Sequence, residues 1–493
     1  MNRQLFLAII VAGATLSANA QTEADALRYS QITFGGTARY NSMAGAFGAL
    51  GADFSTLSSN PAGLGLYRKS EITFTPNSFN QTTNSTYMNT GGNGSNTESG
   101  SKYNANLQNL GLVGVFGKNK APEEGGWQSF NMGFGYNQLA NFNNSQSAQG
   151  YSYAHAGLGD VIASNADGQQ VGSMDPNSTE YLAYQAYLIN NPNNATQYMS
   201  LMPTGGGVLQ QNSITSGGYM GETVLSFAGN YNNRLYIGGT IGFQHIDYSS
   251  SSSYSETALT DSVGGVHSFG VAQNLTTTGN GVNLKLGIIY RINDWMRVGL
   301  AAHSPTQFYM HDSYSTTVST NFKDSAAKSY TGYGAYDYNL VTPPRVIGSL
   351  GFVVAKRGLI GIDFEYVDYT YASLSSADAG VFDAANNNIQ AKYTAAGNLR
   401  VGAEWKVIDN ISLRAGYALY GNPYQSGSNV NAGRTSYTAG IGFREKNLSI
   451  DLAYVYTVYN ENYYFYDPSI ANVNPVQNTF NTTNVMLTLG LRF

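Results

Sequence analysis

Apolar and polar residues alternate along the C-terminal third of the chain. Every second residue over 448–458 is apolar, and the same period of two recurs over 411–419, 399–407 and, further upstream, 282–290. A period of two predicts β-strands with one apolar face. Taken alone, this pattern fits a soluble β-sandwich and an outer-membrane barrel about equally well.

The connections between the predicted strands favour a barrel. Fourteen strands are predicted, and long and short connections alternate strictly between them. Outer-membrane barrels have this alternation because their periplasmic turns are short while their outer loops are free to lengthen. We therefore predict an all-β fold, a 14-stranded antiparallel transmembrane β-barrel over residues 70–493, with its largest loop at 140–218. The predicted strands cover residues 70–79, 106–118, 128–139, 219–231, 234–248, 280–292, 295–303, 345–356, 358–370, 397–407, 410–420, 434–444, 447–459 and 482–493.

The segment before the first strand has a different pattern. Residues 34–66 follow neither a period of two nor one of 3.6, and they contain seven glycines. Glycine permits tight turns and close approach of the backbone to other groups. Because such a segment buries little surface by itself, we expect another part of the protein to enclose it. We predict that residues 21–69 form a hatch, or plug, inside the barrel.

The two chain ends indicate export and barrel assembly. Arg3, the apolar residues 5–16 and Ala18-Asn19-Ala20 predict a signal peptide over residues 1–20, cleaved after Ala20. The last strand alternates and stops on Phe493, which resembles the signal recognised by the barrel-assembly machinery. An even strand count places the N-terminal segment and Phe493 on the periplasmic side. The expected location is the outer membrane of a Gram-negative bacterium.

Composition supports this location and excludes other classes of protein. The 493 residues include 57 glycines, 38 tyrosines and no cysteine, and only 11% are charged, which argues against an ordinary cytoplasmic enzyme. After residue 20 no apolar run approaches the roughly 20 residues of a spanning helix. The net charge of -5 is mild for this length and indicates no nucleic-acid partner.

Catalytic and metal-binding patterns are not found in the sequence. The histidines are scattered, and only His303 and His311, at the base of one loop, make a haem or metal role conceivable. No nucleophile elbow or phosphate-binding loop occurs in the required context. Charges of both signs are predicted to face the lumen, where they would pair with one another or with an occupant, or be hydrated in an open channel.

The loop at 140–218 contains one stretch with helical spacing. Tyr181, Tyr184 and Leu188 lie on one face of a short amphipathic helix predicted within residues 180–188. This face either contacts an apolar ligand at the barrel mouth or packs the loop itself. The three residues are candidate ligand contacts.

Several motifs together resemble the FadL/TodX family of outer-membrane transporters. Asn60-Pro61-Ala62-Gly63-Leu64 is similar to the family's hatch, and Thr342-Pro343-Pro344-Arg345 and Asn422-Pro423 are similar to its recurring barrel segments. The resemblance implies a monomeric barrel for long-chain fatty acids and other hydrophobic compounds, plugged by its hatch. It implies a gate at Asn60, Pro61 and Ala62. It also implies a kinked third strand that opens laterally, for which Gly133 and Gly135 are candidates because glycine weakens strands.

The predicted function is passive uptake of a hydrophobic small molecule without a cofactor or metal. The ligand would be captured at the loops, admitted by movement of the hatch and released laterally into the bilayer. Alternatives are a protein-interaction or secretion-shuttle barrel, and uptake of haem or another apolar ligand. An outer-membrane lipase or protease would need a catalytic constellation that the sequence does not display.

Overall fold

A computed structural model describes residues 22–493 except 118–124, 155, 193–195, 204 and 261–264. Fourteen strands pair antiparallel, each with its neighbour, and the last strand pairs with the first. The predicted 14-stranded barrel is confirmed. Because the last strand pairs with the first, the sheet has no terminal edge strand. The predicted signal peptide and its cleavage after Ala20 lie outside the described residues.

The described strands are numbered β1 to β20 in chain order. Strands β4, β5, β6, β11, β12 and β15 belong to the outer connections, and the other fourteen form the closed wall. Their bounds are β1 Glu71–Met88, β2 Ser95–Phe116, β3 Trp127–Asn141, β4 Asn144–Ser152, β5 Ile189–Asn190, β6 Met199–Ser200, β7 Val208–Tyr231, β8 Leu235–Ala258, β9 Val266–Arg291, β10 Met296–His303, β11 Gln307–Phe322, β12 Lys328–Val341, β13 Arg345–Val354, β14 Gly358–Asp368, β15 Ser373–Ser375, β16 Ala395–Ile408, β17 Ile411–Tyr420, β18 Arg434–Glu445, β19 Leu448–Tyr463 and β20 Val476–Arg492.

Helices lie in the hatch and in the outer connections. The α-helices are α1 Glu23–Ser30, α2 Ala38–Ser42, α3 Leu158–Ala166, α4 Thr179–Gln185 and α5 Asp383–Lys392, and short 3-10 helices cover Phe54–Ser58, Pro61–Leu66, Val171–Ser173 and Tyr369–Tyr371. Among the described residues no helix is both long and apolar enough to cross a membrane.

Much of the sequence predicted as outer loop is strand. The predicted loop at 80–105 is largely a hairpin, because β1 continues to Met88 and β2 begins at Ser95. The predicted loop at 249–279 is likewise shortened by β8 and β9. These strand extensions are rich in Ser, Thr and Asn on both faces, so they lack the apolar alternation from which strands were predicted.

The outer connections pack around an apolar core of their own. Ile162 of α3 and Leu182 of α4 are buried together with Val208 and Phe269 from the extensions of β7 and β9. This core lies at the end of the barrel where the connections are long. The loops therefore form a compact roof rather than a set of independent strands and turns.

The chain before β1, residues 22–70, runs through the lumen from one end of the barrel to the other. It begins near the long connections, where α1 contacts α5, and it ends at Ser70, whose carbonyl accepts a hydrogen bond from the N–H of Phe493. Only its last residues therefore reach the end with short turns. The expectation that the whole segment lies on the periplasmic side is wrong for α1, because α1 packs against residues of the outer half.

Candidate functional site

Glycines on the inner face of the wall lie in close contact with the hatch. A Cβ placed on Gly238 would overlap the carbonyl of Pro61, and one on Gly287 would overlap Oδ1 of Asn60. A Cβ on Gly299 would lie 2.6 Å from the carbonyl oxygen of Gly48. Any larger side chain would fill the space that the hatch backbone now occupies.

The same arrangement continues around most of the wall. In each case a Cβ would come within 3.0 Å or less of a hatch atom. We call these positions the glycine belt: Gly111, Gly133, Gly135, Gly238, Gly287, Gly299, Gly351, Gly361, Gly402, Gly416 and Gly440. They lie on β2, β3, β8, β9, β10, β13, β14, β16, β17 and β18, so ten of the fourteen wall strands contact the hatch in this way.

The predicted gate triplet is part of this contact. The Asn60 side chain donates from Nδ2 to the carbonyl of Gly48 at 2.7 Å and accepts at Oδ1 from the N–H of Ala62 at 3.2 Å. Asn60 thereby caps the 3-10 helix that begins at Pro61. Asn60, Pro61 and Ala62 are all buried against the wall.

Partly buried ion pairs join the hatch to the wall beside the belt. Arg39 of α2 donates from Nε and Nη2 to the two carboxylate oxygens of Glu404, at 2.9 and 3.2 Å. Glu404 also accepts from Arg414 at 2.6 Å, and Arg414 donates to Asp451 at 2.7 Å. The predicted lumenal charges at these three wall positions therefore pair with one another and with the hatch, as paired burial requires.

A second polar cluster joins two parts of the hatch to each other. The carboxylate of Asp53 accepts from the Thr37 hydroxyl at 2.8 Å and from the N–H of Ser55 at 3.0 Å. Burial raises the pKa of Asp53, and the nearby Arg39 guanidinium offsets part of that rise. These bonds join the start of α2 to the 3-10 helix at Phe54–Ser58.

The predicted lateral-opening residues face the hatch. A Cβ on Gly133 would overlap Leu57, and one on Gly135 would lie 2.7 Å from the Phe54 ring. Pairing between β2 and β3 ends at Asn109 and Asn137, two residues beyond Gly135. The third strand is irregular at this point, with a register shift against β7 between residues 138 and 140.

Residues 22–36, which we call the N-terminal segment, are held differently from residues 37–66, which we call the lower hatch. Glu23 forms an ion pair with Lys392 of α5 at 2.6 Å and accepts at its carbonyl from Tyr393 at 2.9 Å. The N–H of Thr33 donates to Leu139 of β3 at 3.2 Å. That of Phe34 donates to the Tyr420 hydroxyl at 3.1 Å.

A small cavity lies where the N-terminal segment meets the wall. Its volume is about 50 Å³, and its walls are partly apolar and partly charged. Arg345 donates to Glu365 at 2.8 Å and Lys285 contacts Glu222, whereas Arg400 lies 3.6 Å from Glu365 without a hydrogen bond to it. An aromatic ring occupies a cavity of about 150 Å³, so this space must widen before it can hold one.

The candidate loop contacts occupy two environments. Leu188 is completely buried in the core of the roof, whereas Tyr181 and Tyr184 are half-buried at its margin. The Tyr184 ring packs edge-on against that of Tyr198, with centroids 6.3 Å apart. Of the three, the two tyrosines are therefore the ones within reach of a ligand at the surface.

The two histidines at the loop base do not form one site. His303 faces the lumen, where its Nε2 lies 2.7 Å from the carbonyl oxygen of Ser59. His311 lies on β11 with an exposed side chain, 2.7 Å from Asp337. Within the described ranges no three His, Cys, Asp or Glu side chains are grouped to bind a metal ion.

Comparison with known proteins places this barrel in a family. The family model described as "Outer membrane protein transport protein (OMPP1/FadL/TodX)" matches residues 203–493. The chain belongs to this family. Its members are outer-membrane transport proteins for hydrophobic compounds, and the resemblance noted in the sequence is confirmed. No curated protein matches the chain.

Solved structures support the same fold. The Pseudomonas putida toluene transporter TodX matches with a TM-score of 0.52 at 12% identity, over 93% of this chain and 99% of that one. A Pseudomonas aeruginosa FadL homologue matches with a TM-score of 0.54 at 14% identity, over 94% and 99%. The CymD monoaromatic hydrocarbon channel matches with a TM-score of 0.50 at 11% identity, over 93% and 98%.

The glycine belt is the functional feature that sequence reasoning missed. Gly361, Gly402 and Gly416 all fall on the non-lipid face of predicted strands, a position that alternation alone identifies. Their recurrence on that face was the available signal. Which hatch atom each glycine meets depends on contacts between residues that are hundreds of positions apart.

Proposed function

We propose that this protein carries hydrophobic small molecules passively across the outer membrane, by capture at the loops, movement of part of the hatch and lateral release. Membership of a hydrophobic-compound transport family supports this function. The observation that carries it is a lumen filled by the N-terminal segment and the lower hatch, with a cavity of only about 50 Å³ beside them. A wide aqueous channel would not need such a plug.

The moving part is the N-terminal segment, and the lower hatch stays in place. The lower hatch contacts ten wall strands through the glycine belt, so its withdrawal would break many close contacts at once. The N-terminal segment does not contact the glycine belt and is held instead by separate hydrogen bonds and ion pairs, such as those of Glu23, Thr33 and Phe34. On this proposal Asn60, Pro61 and Ala62 belong to the part of the plug that stays in place, and not to the part that moves.

Displacement of the N-terminal segment would enlarge the cavity and uncover the third strand. The N–H of Thr33 bonds to Leu139 beyond the point where β2 and β3 separate, so this residue now covers that separation. Gly133 and Gly135 remain our candidates for a lateral opening there. Tyr181 and Tyr184 are our candidates for first contact with the ligand at the outer surface.

Two ligand classes fit this proposal. Long-chain fatty acids are expected from the sequence resemblance, while the related structures are described as a toluene transporter and a monoaromatic hydrocarbon channel. The cavity of about 50 Å³ has to widen less for one aromatic ring than for a long acyl chain. We therefore propose small neutral hydrocarbons as the better substrates.

Uptake into proteoliposomes tests the proposal. Purified barrel would be reconstituted, and the entry of labelled toluene, labelled palmitate and a labelled disaccharide compared with that into protein-free vesicles. We expect toluene to enter at least fivefold faster than into empty vesicles, palmitate more slowly, and the disaccharide at the background rate. Rapid entry of the disaccharide, or no acceleration of either apolar probe, would contradict the proposal.

A further inference from the structure

Two adjacent wall strands are interrupted at the same level, on a side of the barrel away from the third strand. The chain leaves β10 at His303 and resumes as β11 at Gln307, and it leaves β12 at Val341 and resumes as β13 at Arg345. His303 is paired with Arg345 below the interruption, and Gln307 with Val341 above it. We call the interval between residues 304–306 and 342–344 the proline seam.

The chemistry of the proline seam prevents a regular ladder. Pro305, Pro343 and Pro344 have no backbone N–H, so three of its six residues cannot donate. The two sides are joined at Thr306 and Thr342, whose backbone N–H groups donate to the Thr342 hydroxyl and the Thr306 carbonyl, each at 3.0 Å. These two bonds stand where an intact ladder would continue.

The neighbouring strand on the other side is joined more tightly. Ser304 and Leu284 of β9 exchange two bonds, from the Ser304 N–H to the Leu284 carbonyl at 2.9 Å and from the Leu284 N–H to the Ser304 hydroxyl at 3.0 Å. Asn283 also donates to the Thr306 hydroxyl at 2.9 Å. The weak junction is therefore the proline seam itself.

Open space lies behind the proline seam and next to its upper edge. On the lumen side, Ser304, Thr306, Thr342 and Pro343 line the cavity of about 50 Å³. Beyond the upper edge, which Gln307 and Val341 form, Phe243, Val282 and Tyr309 line an outer groove of about 470 Å³, and all three side chains are about half exposed. Gln244 borders both spaces. Below the groove, the outward residues of β9 are Leu284, Leu286 and Ile288, which mark the lipid-facing band.

We propose that the proline seam is a second lateral passage, between the lumenal cavity and the outer leaflet, for uncharged apolar molecules. The groove supplies aromatic and aliphatic surface, and behind it Arg345 and Lys285 are paired with Glu365 and Glu222. Parting of the seam breaks two hydrogen bonds instead of a ladder. This inference rests on the proposed uptake function and adds a route that the third strand does not provide.

The absence of cysteine from the chain allows a direct test. A Thr306→Cys, Thr342→Cys pair lies across the seam, where cross-strand neighbours are close enough for a disulfide. Toluene entry into proteoliposomes would be measured after oxidation and again after reduction. We expect oxidation to slow entry at least fivefold and reduction to restore it.

A matched pair controls for the presence of a disulfide. Leu300 and Gly348 are paired on the same two strands below the seam and both face outward, so an oxidised Leu300→Cys, Gly348→Cys pair leaves the seam free and should transport normally. Equal toluene entry through the oxidised and reduced Thr306–Thr342 pair would overturn the passage while leaving uptake intact. Failure of the unmodified barrel to admit toluene would instead overturn the uptake function.

A groove-filling variant gives an independent measurement if the cysteine pair does not assemble. Val282→Trp would place a bulky ring in the outer groove, and we expect toluene entry to fall about threefold. Leu284→Trp, two residues along the same strand and outside the groove, is the matched control and should retain the native rate. Equal rates for the two tryptophan variants would overturn the passage.

Discussion

The lower hatch and the N-terminal segment both lie inside the barrel, but different contacts hold them there. Atoms of the lower hatch approach glycines on ten wall strands, and Arg39 adds a partly buried ion pair with Glu404. The N-terminal segment is buried along Ala26, Leu27 and Tyr29. Its polar ties are separate bonds to wall strands and to α5, such as the ion pair of Glu23 with Lys392. The comparison teaches that burial alone does not identify the fixed part of a plug.

The difference follows from what each region would lose on moving. Close packing against a rigid wall makes any shift of the lower hatch lose contacts on many strands together. A shift of the N-terminal segment exchanges a limited set of bonds for contacts with an entering apolar ligand. The plug can therefore contain a fixed part, the lower hatch, and a moving part, the N-terminal segment.

The largest expected effect comes from filling the belt. Gly361→Val would place its side chain into the carbonyl of Ala46, so we expect the lower hatch to be displaced at a cost of about 3 kcal/mol, the upper end for overpacking. Thermal unfolding should begin at a lower temperature, and single-barrel conductance in planar bilayers should rise. Gly348→Val, on the adjacent strand, has nothing within 4 Å of its Cβ and is the matched control. Identical conductance of the two variants would refute the role of the belt.

A smaller loss is expected from the ion pair beside the belt. Arg39→Met removes both bonds to Glu404 while Arg414 still donates to that carboxylate, so we expect a loss of about 2 kcal/mol, typical of charged hydrogen bonds. Protease cleavage within residues 37–66 would report release of the lower hatch. Lys406→Met changes an exposed charge at the rim of the same strand and should leave the hatch protected.

The smallest effect on stability, with the opposite effect on transport, is expected at α1. Glu23→Gln weakens the tie to Lys392 and should favour displacement of the N-terminal segment by about 1 kcal/mol, or roughly fivefold in population. Toluene entry should accelerate while the unfolding temperature changes little. Asp383→Asn alters an exposed carboxylate at the start of α5 and serves as the control. Slower entry through Glu23→Gln would show that α1 supports the open state instead.

The local alternation of apolar and polar residues was enough to predict the barrel wall, but not the structure of the hatch inside it. All fourteen wall strands follow from alternation and from the lengths of the connections, because lipid on one side enforces a period of two. The extension of β1 as far as Met88 and that of β7 back to Val208 were not predicted because polar residues occupy both of their faces. The detailed structure of the hatch could not be predicted, because the position of α1 depends on contacts with α5, more than 350 residues away.

The candidate site divides in the same way. The motif Asn60-Pro61-Ala62 was recognisable because it is contiguous, and its cap is a local bond from Ala62 to Asn60. The proline seam is assembled from Pro305 and Pro343, which are unremarkable apart in sequence and meaningful only when β10 and β13 are paired. Features that require strand register could not be read from single segments.

Toluene uptake through two disulfide-locked barrels tests most directly whether the lower hatch is fixed while the N-terminal segment moves. Ala49→Cys, Gly351→Cys would lock the lower hatch, since a Cβ on Gly351 lies 3.3 Å from that of Ala49. Thr33→Cys, Leu139→Cys would lock the N-terminal segment where one backbone bond now joins it to β3. We predict that oxidation leaves toluene entry unchanged in the first barrel and abolishes it reversibly in the second. Loss of entry in the first barrel with normal entry in the second would contradict the account.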